Sequence, residues 1–522
     1  MKKNYKIKVI IKITICLLML FVISNCSTMN DRNTIQLLRK DLKSRNYSAA
    51  ESLIKNKKFY PEKRNVLLKE LEKGTIFYLN GKYYQALKSF KNAKKISDDL
   101  FTVSVSKKVA SVFISSADNY YGERYERSLI RFYESLINYN LYKSGIYESY
   151  IDEYGNMQPE KLLSEAEKNR HLMSARAVTD EWDSLLSSYK NELSDETTYK
   201  MDLTQRLWAA HINRELGKNE LSSNLYGDAK RILERYYNLY PSYNNKSKDF
   251  RENFKRLPDL SSQNLYNYID NTKNATDLIK YIDNEINKIK NYKDNNLQIV
   301  LKDGFVSKKI RKYVVSSLPK MKKPKDNDDI EVVQYILPPE LSIMLATMTQ
   351  DSFFALVSLF TSIEFEVPMI NEVNYANDYK VVLSGKNGIF EAPLTLSEPV
   401  SDIARMELEN KSKSYLLKTA TKTITGYVSA FIAAKNIYNN NKTLPGKIAA
   451  ILSYKAATLA INEMLKVDMR YWSSLASGIM LGGAVVPDGE YVISVFKNNV
   501  KTSYTNKVAV HKNNITFVDI NL

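Results

Sequence analysis

The chain has little cysteine and histidine, two residue types that often carry catalysis or bind metals. Its 522 residues include two cysteines, Cys16 and Cys26, and three histidines, His171, His211 and His511. The histidines are far apart and show no His-Glu-x-x-His or His/Cys spacing, so the pattern of a zinc site is missing. Gly-x-Ser-x-Gly, P-loop and dinucleotide fingerprints are missing as well. We expect no cofactor, no metal and no enzymatic activity; a glycosidase using two distant carboxylates is the enzymatic alternative.

Cys26 follows a short apolar run, and this position predicts a lipid anchor. Residues 1–12 carry five lysines and no acid, and residues 13–24, ITICLLMLFVIS, are almost wholly apolar. Such a segment is typical of a secretory signal, and its core is shorter than the roughly 20 apolar residues of a spanning helix. Ile23-Ser24-Asn25-Cys26 resembles a bacterial lipobox, with Asn25 where Gly, Ala or Ser is usual. The alternative is an uncleaved N-terminal anchor with an incidental cysteine.

Acylation of Cys26 would attach the protein to a membrane. Each buried methylene contributes about 0.8 kcal/mol, and stable attachment takes more than one acyl chain. Residues 1–25 would be the signal peptide and residues 26–34 a polar tether. Cys16 would leave with the signal, so neither a disulfide nor a cysteine-based metal site would remain. We therefore expect a lipoprotein of the bacterial cell envelope, more readily in the outer membrane, with either leaflet possible.

The chain has an excess of positive charge. It contains 76 Lys and Arg against 58 Asp and Glu, which gives a formal net charge of +18. Lys, Asn, Ile and Tyr are abundant, as AT-biased coding produces. We therefore expect the surplus lysines to be solvated surface residues. The alternative is attraction to anionic lipid headgroups or envelope polymers, at about 1 kcal/mol for each well-placed Lys or Arg. Nucleic acid is not an expected partner, because the chain shows no zinc-knuckle, homeodomain or ribonucleoprotein-type motif.

Residues 66–97 show the spacing of one tetratricopeptide (TPR) repeat. In that repeat small residues stand where two antiparallel helices touch, aromatic residues fill the adjoining groove, and a glycine ends the first helix. The matching positions are Gly74, Phe77, Gly81, Tyr83, Ala86, Phe90 and Ala93. A weaker second match contains Ala210, Gly217, Ser222, Tyr226 and Ala229. One helix pair cannot bury its own apolar face, so stacked TPR-like pairs are predicted over residues 35–245.

The predicted helical stack would present a concave surface. Such surfaces usually bind a peptide or a partner protein, and the alternative is that the helices only hold the next domain at a distance. The following residues, 246–329, are polar and rich in Lys and Asn, and they predict a helical or linker region.

Short β-branched or aromatic runs separated by Gly, Asn or Pro extend from residue 330 to residue 522. They predict a β-sandwich-like domain and hence an α+β protein. Residues 398–466 interrupt the strands, and their many small residues predict a tight helical hairpin. A membrane-inserting hairpin is the alternative, because small-residue interfaces also occur in bilayers. Lys435, Lys447 and Lys455 interrupt the apolar runs well short of a span, which favours a hairpin outside the bilayer.

A distinct order of residue types follows the hairpin: an acid, an arginine, a tryptophan and a leucine precede a strand and a Gly-x-Tyr hairpin. The residues are Asp468, Arg470, Trp472, Leu475, Gly489 and Tyr491. This order resembles a family of uncharacterised bacterial lipoproteins that join a TPR-like helical half to a C-terminal β-domain. Ala476 stands where that family has proline. The resemblance covers most of residues 30–522 in patches, and it implies architecture and export without an enzymatic activity.

The cluster of Asp468, Arg470 and Trp472 has two interpretations. Arginine suits bidentate pairing with a carboxylate, and tryptophan suits covering the pair. We favour a buried clasp that fastens the helical hairpin to the β-domain. The alternative is a ligand site that uses Arg470 and Trp472.

Together these patterns predict a lipid-anchored envelope protein that acts as a non-enzymatic scaffold or assembly factor. It would bind another envelope protein, of unknown identity, on its helical repeats. One alternative is a binding module for an envelope polymer or a small ligand, located in the β-domain. Another is a surface-exposed lipoprotein of the adhesion type.

Overall fold

The fold is α+β, with helices in the N-terminal half and a nearly closed seven-stranded sheet in the C-terminal half. The structure is a computed structural model, and it describes residues 33–56, 58–108, 119–152, 154–190, 199, 201–237, 240–243, 272–291, 295–316, 331–335, 340, 343–344, 351, 364–370, 378–464, 467–512 and 514–522. The predicted signal peptide and Cys26 lie outside the described residues.

Helices occupy most of the described chain up to residue 290. They are α1 (33–43), α2 (Tyr47–Lys55), α3 (Val66–Leu79), α4 (Tyr83–Lys108), α5 (Arg124–Ser144), α6 (Glu165–Lys190), α7 (Leu203–Glu215), α8 (Asn219–Arg235) and α9 (Thr272–Lys290). Short 3-10 turns lie at Lys63–Asn65 and Pro241–Tyr243. Between α5 and α6 the chain forms an arm, residues 146–162, with strands β1 (Ile146–Tyr147), β2 (Tyr150–Ile151), β3 (Met157–Gln158) and β4 (Lys161–Leu162). In the arm β1 pairs with β4 and β2 with β3.

The same glycine turn ends the first helix of two helix pairs, α3–α4 and α7–α8. Gly81 and Gly217 both have a φ of +71°, which a residue with a Cβ atom adopts only with strain. The next amide donates to a carbonyl five residues back, from Lys82 to Phe77 and from Lys218 to Asn213, at 2.8 Å in each case. This is the Schellman arrangement. The predicted helix ends are therefore confirmed, whereas the TPR assignment itself stays a prediction.

The large sheet contains strands from three separate stretches of the chain. They are β5 (Leu297–Asp303), β9 (Tyr379–Gly385), β10 (Gly388–Glu398), β11 (Gly478–Ala484), β12 (Gly489–Lys497), β13 (Val500–Val510) and β14 (Thr516–Asn521). Their order is β13-β12-β9-β10-β11-β5-β14, and β14 runs parallel to β5 while the other neighbours are antiparallel. A second sheet, ordered β7-β6-β8, contains β6 (Lys309–Ser316), β7 (Glu331–Tyr335) and β8 (Glu364–Ile370).

The large sheet differs from the β-sandwich-like domain that the sequence predicted. Its two outer strands, β13 and β14, meet at one end, where the hydroxyl of Thr516 donates to the carbonyl of Ala509 at 3.1 Å. The sheet therefore nearly closes on itself, and closure protects edge strands from unwanted pairing. Strand β5 lies between β11 and β14, although its sequence falls within the stretch interpreted as helical or linker. Burial on both faces removes the alternating pattern by which a strand is recognised.

The predicted helical hairpin is present as α10 (Val400–Asn440) and α11 (Leu444–Met464), inserted between β10 and β11. Small residues allow the close approach of its helices: a Cβ atom on Gly426 would lie 3.0 Å from Cδ1 of Ile461. The hydroxyl of Tyr427 donates across the hairpin to Asn462 Oδ1 at 3.1 Å. Buried apolar residues of the helical half and of the large sheet form one continuous cluster, from Leu38 to Ile520.

We predict opposite effects for the same substitution in two helices. In α3, Gly74→Ala would place a Cβ atom 2.9 Å from Cε2 of the buried Phe90 ring, and it should reduce the free energy of unfolding by about 1–3 kcal/mol. In α8, Gly227→Ala meets nothing within 4 Å and should raise the free energy of unfolding by about 0.5–1 kcal/mol. Urea unfolding followed by circular dichroism measures both. Equal effects would contradict the close contact between α3 and α4.

Candidate functional site

The segment between α11 and β11, residues 467–477, lies against the N-terminal helices; we call it the clasp segment. Apart from a bridge at Val467 and a turn at residues 473–474, it has no regular secondary structure. Trp472 and Leu475 have no solvent exposure. The carbonyl of Leu475 accepts from the amide of Val306 at 2.7 Å, next to β5. The clasp segment is therefore enclosed between the helical half and the sheet.

Two buried glutamates of the helical half accept consecutive backbone amides of the clasp segment. Glu126, on α5, accepts from the Trp472 amide at 2.8 Å. Glu72, on α3, accepts from the amides of Ser473 and Ser474 at 2.6 and 3.1 Å. Burial raises the pKa of Glu72 and of Glu126, because each carboxyl is removed from water. The hydrogen bonds from these amides satisfy groups that would be costly to bury unpaired.

The Trp472 ring fills the groove formed by α3, α4 and α5. Its Nε1 donates to the hydroxyl of Thr75 at 2.9 Å. Its ring centroid lies 5.7 Å from that of Phe90 and 5.4 Å from that of Tyr133. The same Phe90 ring packs against Gly74 of α3. A residue of the C-terminal half thus occupies the groove of the first predicted repeat.

Asp468 and Arg470 form a bidentate pair at the edge of this groove. Nε and Nη2 of Arg470 donate to the two carboxylate oxygens of Asp468 at 2.8 and 2.7 Å. Nη1 donates to Asn65 Oδ1 at 2.8 Å, and the guanidinium lies 5.5 Å from the ring centroid of Tyr120. We expected this cluster to fasten the helical hairpin to the β-domain. Its described partners lie instead in the N-terminal half, a difference that spacing within residues 467–477 could not reveal.

Gly489 and Tyr491 lie in the large sheet and not in the clasp segment. The hydroxyl of Tyr491 donates to the carbonyl of Pro487 at 2.8 Å, and its ring packs edge-on against Phe390. Gly385 stands opposite Tyr491 on β9, where a Cβ atom would lie 2.7 Å from that ring. The Gly-x-Tyr part of the motif therefore shapes the sheet, whereas the Asp-x-Arg-x-Trp part contacts the helices.

Buried acids of the C-terminal half likewise accept hydrogen bonds from the helical half. Glu398, at the end of β10, accepts from the hydroxyl of Tyr237 at 2.9 Å and from the amide of Thr204 at 3.4 Å. Asp202, which belongs to the helical half, lies near Glu398 and caps α7 by accepting from the amide of Gln205 at 2.9 Å. Burial, together with the charge of Asp202, raises the pKa of Glu398 well above its ordinary value. Nothing in the local sequence marks these acids as buried.

Asp402 and Asp519 also connect the two halves. Asp402, in the first turn of α10, accepts from the amide of Ser242 at 2.8 Å, and burial raises the pKa of Asp402 to about 6. Asp519, on β14, accepts from Nδ2 of Asn140 at 2.9 Å and from the hydroxyl of Tyr78. Carboxylates of each half therefore accept hydrogen bonds from the other half.

The predicted repeat residues lie at helix contacts. Ala86, Phe90, Ala93, Ala210 and Ala229 have no solvent exposure, and Phe77 and Tyr226 are also buried. Tyr83, at the start of α4, is half-buried. In the second pair the hydroxyl of Ser222 donates to the carbonyl of Ala210 at 2.7 Å, which ties α8 to α7. These contacts give all of these residues a packing role.

The two buried histidines, His171 and His211, are also packing residues. His211, on α7, lies between Tyr139 and Trp208, and burial lowers its pKa to about 3. His171 contacts Asn138 Oδ1 through Nδ1 at 2.8 Å, and burial lowers its pKa to about 4. Within the described ranges no group of three or more His, Cys, Asp or Glu is arranged to hold a metal ion.

A cavity of about 210 Å³ lies between α7 and α8, in the helical half. Its lining includes Arg206, Arg231, Arg235 and Tyr236. Arg206 also donates to Asp183 Oδ1 at 2.6 Å, and Arg231 pairs with Asp228. The remaining positive charge suits a small anion.

Removal of the Trp472 ring should unfold the protein rather than weaken one binding activity. Trp472→Ala deletes a fully buried ring and should reduce the free energy of unfolding by about 3–5 kcal/mol. Trp472→Phe keeps an aromatic ring but loses the hydrogen bond to Thr75, for which we expect a loss of about 1 kcal/mol beyond the change in ring size. Urea unfolding of the full chain measures both. A stable, fully folded Ala variant would contradict the clasp interpretation.

Asp402 should make stability fall as the pH rises. Because its pKa is about 6 in the folded protein and near 3.8 when exposed, the folded state holds a proton that the unfolded chain has released. This contribution is complete below about pH 4, is lost towards pH 6–7, and amounts to about 3 kcal/mol. Asp402→Asn should remove that part of the pH dependence.

Urea unfolding at pH 4.5 and pH 7.5 tests this prediction. Asp180→Asn is the control, because the Asp180 side chain on α6 is 66% exposed. The control should change with pH as the parent does. The same pH dependence in the Asp402→Asn variant and the parent would show that Asp402 is not the source.

Two further findings concern membrane-spanning helices and similarity to known proteins. In the part of the chain that the structure describes, no helix is both long enough and apolar enough to cross a membrane. Comparison of the chain with protein-family models, with curated proteins and with solved structures found no match.

Proposed function

We propose that the protein is a lipid-anchored protein of the bacterial cell envelope and acts as a non-enzymatic scaffold or assembly factor. The anchor would be Cys26, acylated after removal of residues 1–25. The order of basic residues, short apolar run and lipobox-like Ile23–Cys26 supports export and attachment. The resemblance to TPR-like lipoproteins and the two glycine-ended helix pairs support partner binding by the helical half.

The partner would not use the groove of the first predicted repeat, because Trp472 fills it. The arm, residues 146–162, is the more suitable surface. Its exposed apolar side chains are Ile146, Ile151, Tyr154, Met157 and Leu162, of which Tyr154 is 82% exposed. Neighbouring exposed apolar side chains of this kind are typical of protein–protein contact sites. This group of exposed apolar side chains on one short arm is the observation that carries the proposed partner site.

The arm is organised before any partner binds. Oδ1 of Asp152 accepts from the amides of Tyr154 and Asn156, at 3.0 and 2.8 Å, which fixes the turn at its tip. At its base the amide of Leu163 donates to the carbonyl of Gly145 at 2.8 Å. A preorganised loop loses less conformational entropy on binding. The arm can therefore present its apolar residues at a low entropic cost.

The binding of a small anionic ligand is a second candidate function. The cavity between α7 and α8 favours it, because Arg235 lines that cavity beside two arginines that pair with Asp183 and Asp228. That cavity lies in the helical half, whereas the alternative drawn from the sequence places a ligand site in the β-domain. A role in adhesion at the cell surface would use exposed residues such as those of the arm.

A two-part experiment tests the proposed function in the full chain, because β5 and the clasp segment prevent a clean division into fragments. In the first part, cells that express the protein are labelled with a radioactive fatty acid. The parent chain should incorporate the label and Cys26→Ala should not. Mass spectrometry that finds an unmodified Cys26 would remove the basis for the anchor.

In the second part, a photo-crosslinking amino acid replaces Tyr154 or, as a control, Ile389, which is 72% exposed on β10. The position in the arm should capture one envelope protein repeatedly, and Met157→Asp should abolish that capture by placing a charge in the contact. Identical products from both positions would show that the arm is not the partner site.

A further inference from the structure

Helix α11 has two apolar faces, and only one of them is covered. Ala450, Tyr454 and Thr458 are buried, at a spacing of four residues that places them on the side facing α10. The opposite side carries Leu444, Ile448, Leu452 and Leu459, which are between 41% and 71% exposed. We call these four residues the outer face of α11. At 1.5 Å per residue the outer face is about 22 Å long.

The helical hairpin also has charge of one sign over most of its length. Residues 410–462 contain eight lysines and no Asp, Glu or Arg. Lys442, in the turn of the hairpin, and Lys455, beside the outer face, are exposed. Lys435 pairs with Asp351, and Lys447 lies 5.8 Å from the ring centroid of Tyr438. The surface of the hairpin is therefore apolar and cationic at once.

We propose that the outer face of α11 lies on the surface of a bilayer that contains anionic lipids. Leucine and isoleucine side chains would enter the boundary between headgroups and acyl chains, and the lysines would contact the headgroups. Lysine is suited to this position, because its methylene stem can lie along apolar surface while its ammonium stays in water. The helix would lie parallel to the membrane, consistent with the finding that no described helix could span one.

Other occupants fit the outer face less well. A second copy of the chain would bring the same lysines together, in a protein whose formal net charge is already +18. An anionic polymer would pair with the lysines but would leave the leucines in water. An anionic bilayer offers headgroups that pair with the lysines and acyl chains that cover the apolar residues. This contact goes beyond the proposed anchor at Cys26 and does not depend on acylation.

The test uses the full chain with Cys16→Ala and Cys26→Ala, which removes acylation and both native thiols. A new cysteine, Leu452→Cys, is labelled with a fluorophore whose emission shifts to the blue in apolar surroundings. Leu221→Cys, on α8, is the matched control, because Leu221 is an exposed helical leucine outside the hairpin. Vesicles of phosphatidylglycerol or of phosphatidylcholine are then titrated into each protein. Binding through residues 13–24 would bring both labels near the vesicles, so the comparison between the two positions is decisive.

We expect the label at position 452 to shift with phosphatidylglycerol vesicles, whereas the label at position 221 stays in water. Phosphatidylcholine should require at least about tenfold more lipid. Lys442→Gln and Lys455→Gln should each raise the lipid needed by roughly fivefold, and added salt should weaken binding.

Three results would overturn the proposal. The first is the same response from both label positions, and the second is equal binding to the two lipids. The third is an emission at position 452 that is already blue-shifted without vesicles and moves towards that of water on dilution, which would identify a second copy of the chain as the occupant.

Discussion

The structure depends on carboxylates that are buried at the boundary between its halves. Glu72 and Glu126 of the helices receive the amides of the clasp segment, while Glu398 and Asp402 receive groups of the helical half. A carboxyl group in such a place is costly unless every oxygen has a partner, so the two halves must fit closely before these groups are satisfied. The helices and the sheet are therefore parts of one cooperative unit, with one shared core.

The enclosed clasp segment changes which surfaces of the helical half are open to a partner. A stack of helix pairs normally keeps its groove open for a partner, but here the chain supplies its own occupant in Trp472. Besides the cavity between α7 and α8, two elements offer exposed surface to other molecules: the arm between α5 and α6 and the hairpin of α10 and α11. Both combine regular secondary structure with exposed apolar side chains, and they differ in charge. In our proposals the arm would bind a protein partner, and the lysine-rich hairpin would bind a lipid surface.

Local features were predictable from the sequence, and contacts between distant residues were not. Gly81 and Gly217 indicated helix ends because a left-handed backbone at a helix terminus strongly favours glycine. Small residues likewise indicated the hairpin. Strand 297–303 was hidden, because both of its faces are buried and its neighbours are polar. The roles of Glu72 and Glu126 could not be predicted either, since an acid on a helix normally faces water and their partners lie hundreds of residues away.

The parallel pairing of β14 with β5 has a consequence for the order of folding. Lys302 and Asp519, which form an ion pair across these strands, are separated by 217 residues, and Glu72 is 401 residues from Ser473. Contacts at such separations give a high contact order, because long loops must close before the interactions that stabilise them can form. During synthesis or export the N-terminal helices would emerge long before the residue that fills their groove. A slow, late folding step, with aromatic surface exposed to chaperones in the interval, is the expected result.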